Sequence, residues 1–166
     1  RVFINNLHMY NNQLIMELQA GLFLKSTDVL SDAVFSQATI YIAEYNAQGA
    51  LGFVLNKPFG RSLHELEEFH HSPHFPLYEG GPVDQEHLFF LHRRPDLIEE
   101  GALVGTGVYY GGNFKQAVAG INDKSLAASD IKIFVGYCGW DAGELEAEIE
   151  EGSWEIIEGT NEMVFG

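Results

Sequence analysis

Cysteine is almost missing from this chain: Cys138 stands alone in 166 residues, so no internal disulfide can form. That usage suits a reducing compartment, and the compartment expected is the cytoplasm. Basic residues are also scarce, nine Lys and Arg against 24 Asp and Glu, which leaves a net charge of −15. Nucleic acid binding needs cations that displace counterions from phosphate. Here the bases are scattered, and Arg93-Arg94 is the only adjacent pair. Direct contact with DNA or RNA is therefore disfavoured, and so is contact with an anionic membrane surface. Long apolar runs are absent, so no stretch reads as a membrane span. The opening RVFINNLHMYNN has no cationic segment leading into a long apolar one and does not read as a signal peptide. The first residue is Arg1 rather than Met and the chain stops abruptly at Gly166, which leaves room for a longer native protein.

Apolar residues are plentiful, 46%, enough to argue against disorder. The length fits one domain over residues 1–166, with residues 1–20 its least certain segment. QLIMELQAGLFLKST reads as a helix or strand leading to a turn. ATIYIAEY, from Ala38 to Tyr45, has the β-branched and aromatic content of a strand. NAQG supplies turn chemistry, and ALGFVLNK returns as a second strand stopped by Pro58. The pair predicts a β-hairpin with four turn residues. SLHELEEF, from Ser62 to Phe69, predicts a short helix with a Ser cap and Leu63, Leu66 and Phe69 on one face. LYEGGPV, HLFFLHR and the glycine-interrupted LIEEGALVGTGVYYGG predict further strands. NFKQAVAGI predicts a helix capped by Asn113, and DIKIFVGYC a buried strand. A last helix is expected to begin at Asp141, with Glu144 at capping-box spacing, Leu145 and Ile149 facing the core and Gly152 at its end. WEIIEG predicts a final short strand. The order is not a regular strand-helix alternation, so the fold class expected is α+β with a mixed, partly barrel-like sheet and a few helices.

Several constellations invite a chemical reading. His64, His70, His71 and His74 cluster as metal ligands do, but on a Pro-containing loop with no cysteine beside them; a solvated loop is the simpler reading. Glu79, Gly80, Gly81 and Pro82 form an acidic tight turn without the lysine or the spacing of a phosphate cradle, so glycines at positive φ are the expected explanation. Cys138 sits where a strand is expected to meet a helix, the place of a nucleophile elbow, but in GYCGW the second glycine comes one residue early. A free cysteine is often simply a small buried hydrophobe. The acidic face of the last helix reads as solvated, or as a dock for a basic partner. No cofactor signature is present.

Taken together, STDVLSDAVFSQATIYIAEYNAQGALGFVLNKPFG, LYEGGPV and IFVGYCGWDAGELEAEIEEGSW resemble the YqgE/AlgH family of bacterial proteins, from about Gly21 onward. The resemblance implies a bifurcated, partly barrel-like sheet wrapped by helices in a cytoplasmic protein. It implies no established activity, and the role suggested for the family is transcriptional regulation. The family pattern implies that alanine or serine can stand at the position of Cys138, which argues against a nucleophile there. Glu44, Asn46, Asn56, Gly80, Gly81, Pro82, Trp140 and Glu144 match family positions. The glycines and proline are what turns require. Glu44, Asn46 and Asn56 either cap turns or line a small pocket. The reading that follows is a non-enzymatic protein that binds another protein, with Trp140, Trp154 or Phe75 as exposed anchors. The alternatives are a small-molecule protein or enzyme with a pocket near Glu44, Asn46 and Glu79, and a direct DNA-binding regulator, which the charge disfavours.

Overall fold

The computed structural model describes residues 7–10, 13–16, 18–30 and 35–166. Its strands are β1 (Leu7–Tyr10), β2 (Gln13–Met16), β3 (Phe23–Ser26), β4 (Thr39–Asn46), β5 (Gly49–Val54), β6 (Leu77–Glu79), β7 (Val83–His92), β8 (Ala102–Gly105), β9 (Val108–Tyr110), β10 (Ile131–Asp141) and β11 (Trp154–Ile157). The helices are α1 (Phe114–Asn122), α2 (Glu144–Glu150) and α3 (Asn161–Phe165). β1 and β2 pair as a separate two-stranded sheet. The other nine strands form one mostly antiparallel sheet in the order β11-β3-β4-β5-β10-β7-β9-β8, with β6 added in parallel beside β10. The fold is α+β, and the sheet is open rather than a closed barrel. None of the described helices is long and apolar enough to cross a membrane.

The sheet forks along β10. Residues Ile131–Val135 pair with β7 on one side and Ile133–Val135 with β6 on the other, whereas Cys138–Asp141 pair with β5. The register slips between Val135 and Tyr137, where Gly136 takes φ +73°. This is a β-bulge, which turns a strand and lets its two halves serve different neighbours.

The Gly80-Gly81 pair closes the fork. Gly80 N–H donates to Val135 O at 2.9 Å, and Gly80 O accepts from Val54 N–H at 2.9 Å, so one residue joins both halves. A Cβ on Gly80 would come within 2.4 Å of Gly136 O, and one on Gly81 within 2.2 Å of the Tyr137 carbonyl carbon. Neither glycine has positive φ. The sequence expectation of a turn that demands positive φ is thus corrected: the requirement is close passage of one backbone over another, which no side chain permits.

The core follows from strand alternation on this frame. Ile131, Ile133 and Val135 pack with Leu77, Phe90 and α1 residues Ala117 and Ile121 on one side. On the other side Phe134 stacks on Phe53 at 4.5 Å, amid Tyr41, Leu91 and Phe165. A third cluster joins Ile40, Ile42, Val54, Cys138, Trp140, Trp154 and Leu145 of α2. Burial of each such aromatic ring contributes about 2 to 3 kcal/mol.

Four local expectations change. The hairpin turn has two residues, because Asn46 and Gly49 already pair. Residues 62–69 form two short 3-10 turns, Leu63–Glu65 and Glu67–Phe69, with only Leu63 fully buried. β10 runs on through Asp141, so α2 begins at Glu144 after Gly143. The last helix is α3, beyond the strand expected at WEIIEG.

Candidate functional site

The tip of the β4-β5 hairpin lies beside the end of β10 and the start of α2, and an open groove of about 450 Å³ runs between them. Asn46 Oδ1 accepts from Gln48 N–H at 2.8 Å and locks the turn. Gly49, at φ +139°, lets the turn meet β10, since a Cβ there would sit 2.0 Å from Trp140 O. A register shift between Ile42 and Glu44 places the exposed Glu44 opposite Leu51, and Leu51 in turn pairs with Gly139. Glu144 Oε1 accepts from Asp141 N–H at 2.5 Å, half of the expected capping box. Glu44, Asn46, Asp141 and Glu144 therefore share one groove, with Leu51, Val83 and Tyr137 as its apolar part. The charge of Glu44 adds to burial in raising the Tyr110 hydroxyl to about 12.

A second cavity of about 440 Å³ shares Val83, Gly139, Trp140 and Glu144 with the first and is lined further by Pro82, Cys138, Glu148, Glu151 and Trp154. Neither lining includes Lys, Arg or His. Glu148 Oε1 accepts from the indole N–H of both Trp140 and Trp154, each at 2.9 Å. The indoles meet edge to face, 6.1 Å apart. One carboxylate thus holds α2 to β10 and to β11. Sequence reasoning passed over Glu148 as one acid in an acidic face. Its signal was the presence of two tryptophans, each in need of an acceptor when buried.

The remaining candidates separate. Asn56 Oδ1 accepts from Thr39 N–H at 2.9 Å and its Nδ2 donates to Gln37 O at 2.8 Å, where Gln37 has φ +53°. It clamps the entry to β4 and lines neither cavity. Glu79 is half-buried on β6, its Oε1 3.4 Å from Gln85 Nε2, and is outside both linings. Pro82 lines the second cavity only. Trp140, Trp154 and Phe75 are 7%, 3% and 6% exposed, so the expectation of exposed anchors is corrected: all three belong to the core. His64 and His74 have ring centres 5.3 Å apart; His64 Nδ1 pairs with Ser62 Oγ, and His70 Nδ1 with Glu67 O. Among the described residues no three His, Cys, Asp or Glu side chains are grouped to hold a metal ion.

Cys138 is 2% exposed in the middle of β10, six residues before α2 begins, and its thiol donates to Gly80 O at 3.4 Å. Burial pushes the thiol up to about 12. The strand-to-helix junction expected at GYCGW is absent because the strand carries on to Asp141.

A family model described as AlgH-like matches residues 22–166. A UPF0301 protein of Chlorobium luteolum is 39% identical over 148 residues, 89% of this chain and 78% of the relative. One from Cytophaga hutchinsonii is 32% identical, over 89% of this chain and 82% of the relative. The solution structure of the AlgH protein from Pseudomonas aeruginosa superposes with TM-score 0.72 at 28% identity, over 87% of this chain and 79% of that one. A crystal structure of a Corynebacterium diphtheriae protein superposes with TM-score 0.75 at 20% identity, over 100% of this chain and 85% of that one, a likeness of fold.

Proposed function

The chain belongs to the AlgH-like family, and from that premise we propose that it is a non-enzymatic binding protein whose acidic groove receives a cationic segment of a partner protein. The observation that carries this reading is the groove itself: Glu44, Asp141 and Glu144 line one part, Glu148 and Glu151 the next, with no base in either. From Asp141 to Gly166 the sequence contains no Lys, Arg or His at all. A field of one sign steers an oppositely charged partner and rejects like charge. The open form of the groove suits an extended segment better than a small molecule, which a site normally encloses. Leu51, Val83 and Tyr137 offer apolar contact beside the carboxylates. Any regulatory role runs through that partner. Direct DNA readout has little support: each described helix is separated from the next by a strand, which leaves no helix-turn-helix.

The test is fluorescence anisotropy of a short labelled peptide of alternating Arg and Gly, with a Glu-Gly peptide as control. The Arg peptide is expected to bind and the Glu peptide to fail. A Glu44→Gln/Glu144→Gln variant should bind roughly tenfold more weakly, the sum of two partly exposed charge contacts. Glu99→Gln/Glu100→Gln, outside the groove, should bind like the parent. Equal loss in both variants would reduce the effect to net charge and remove the groove from the account.

A further inference from the structure

The sheet has an unclaimed edge inside the acidic groove. Trp140 turns its carbonyl toward β5, where a Cβ on Gly49 would sit 2.0 Å from the oxygen. Asp141 sends its N–H the other way, to Glu144 Oε1. Successive residues of an antiparallel strand present their main chains to opposite edges. Gly139 therefore turns its N–H and C=O away from β5, as Asp141 does. On that side β7 begins at Val83, opposite Tyr137, and among the described residues no strand pairs with β10 there beyond Tyr137. The gap lies between Val83 and Glu144, and both cavities reach it: Val83, Gly139, Trp140 and Glu144 line the two in common. Tyr137 lines only the first and Cys138 only the second, so the cavities open on opposite faces of β10.

Gly139 has no local reason to be glycine. The register with β5 runs through it unbroken, the bulge being at Gly136. Its φ is not positive, and a Cβ there would meet only the Tyr137 ring, at 3.4 Å. A glycine inside a strand weakens pairing and otherwise marks close approach by a ligand or another backbone. We propose that an extended cationic segment of the partner enters this gap as an added strand, pairing its main chain with Gly139 N–H and C=O. The inference rests on the groove's accepting such a segment. Alternate side chains of the added strand enter the two cavities. Arginine suits the first, which combines Glu44, Asp141 and Glu144 with the Tyr137 ring, because a guanidinium pairs with carboxylates and stacks on aromatic faces. Glu148 and Glu151 keep the second acidic as well. A second copy of this chain, at a net charge of −15, would bring like charge to the gap.

The experiment is amide hydrogen exchange, read residue by residue by NMR on the full chain, with and without the Arg-Gly peptide. Binding itself is followed by anisotropy. In the free protein Gly139 N–H is expected to exchange at least about a hundredfold faster than Trp140 N–H, which faces β5. With about nine-tenths of the protein occupied, exchange at Gly139 should slow roughly tenfold, because only the free remainder stays open. The outward amides of β8, an edge strand outside both cavities, should keep their rates. Gly139 as protected as Trp140 in the free protein, or peptide bound with no slowing at Gly139, would overturn the added strand and leave the acidic groove standing. Equal slowing in β8 would do the same, by reducing the effect to general tightening. A peptide that fails to bind at all would remove the groove's reading and this one together.

Discussion

Cys138 donates its thiol hydrogen to Gly80 O, inside the cluster that also holds Trp140 and Trp154. Its chemistry is set by that enclosure. A thiolate there would lose its hydration without a cation to replace it, which is why burial drives the thiol to about 12. Native protein should therefore react very slowly with iodoacetamide, with no inflection near about 8.5, the ordinary value for cysteine. Unfolding in urea should restore an ordinary rate and an ordinary pH profile. A fast native reaction with an inflection below that value would contradict the burial. The sign for stability follows. Cys138 weighs nothing against the fold below its unfolded value, and its contribution to stability falls as pH rises from there toward about 12. Lys132, with its Nζ 4.0 Å from the centre of the Tyr78 ring, acts the other way: its folded value, about 8, lies below the ordinary one, so its burial opposes folding at low pH and that penalty is relieved as pH rises from about 8 toward the ordinary lysine value. The apolar surroundings of both residues were legible in IKIFVGYC. Which atoms face them was not, because Gly80 and Tyr78 lie more than fifty residues away along the chain.

Among the elements, β10 was the easiest to anticipate and the most altered by its neighbours. Its apolar run marks a buried strand, but the bulge at Gly136 and the continuation to Asp141 depend on β5, β6 and β7 pairing with different halves. The Gly80-Gly81 stretch exists to let that happen. Gly80→Ala should destabilise the protein by on the order of 3 kcal/mol, because the new methyl meets backbone rather than a movable side chain. Gly143→Ala, at φ +84° with nothing within 4 Å, should cost only about 1 kcal/mol through its left-handed backbone. Urea unfolding followed by tryptophan emission measures both. Equal costs would mean that the backbone yields to a methyl at Gly80 and that close approach does not account for the glycine pair. The same tertiary demand explains α2. Its spacing suggested a start at Asp141, yet the pairing of Trp140 and Asp141 with Ala50 and Gly49 holds those residues extended. Local capping preference is weaker than ladder hydrogen bonds plus the burial of Trp140.

At the scale of the whole molecule the charge of −15 is the dominant fact. Self-repulsion at this level opposes the compact state, and salt screens it over about 10 Å at 0.1 M. Melting should therefore rise with sodium chloride, by about 3 °C or more if screening contributes roughly 1 kcal/mol to a chain of this size. A fall in calorimetry would mean that the ion pairs of Arg93 and Arg94 outweigh the repulsion. The sequence by itself determined the composition-level properties, the central hairpin, the α1 cap at Asn113 and the family, because these rest on local spacing and residue chemistry. It also marked Glu44, Asn46, Trp140 and Glu144, which the fold brings to one groove. It could not separate them from Asn56 and Glu79, which have the same chemistry but different neighbours. Only the tertiary structure decided that Trp140 and Trp154 turn inward onto Glu148, that Cys138 is buried, and that the acids line two neighbouring cavities. The physical reason is that burial, desolvation and close backbone passage are set by which distant segments meet, and the forked pairing of β10 decides which of them do.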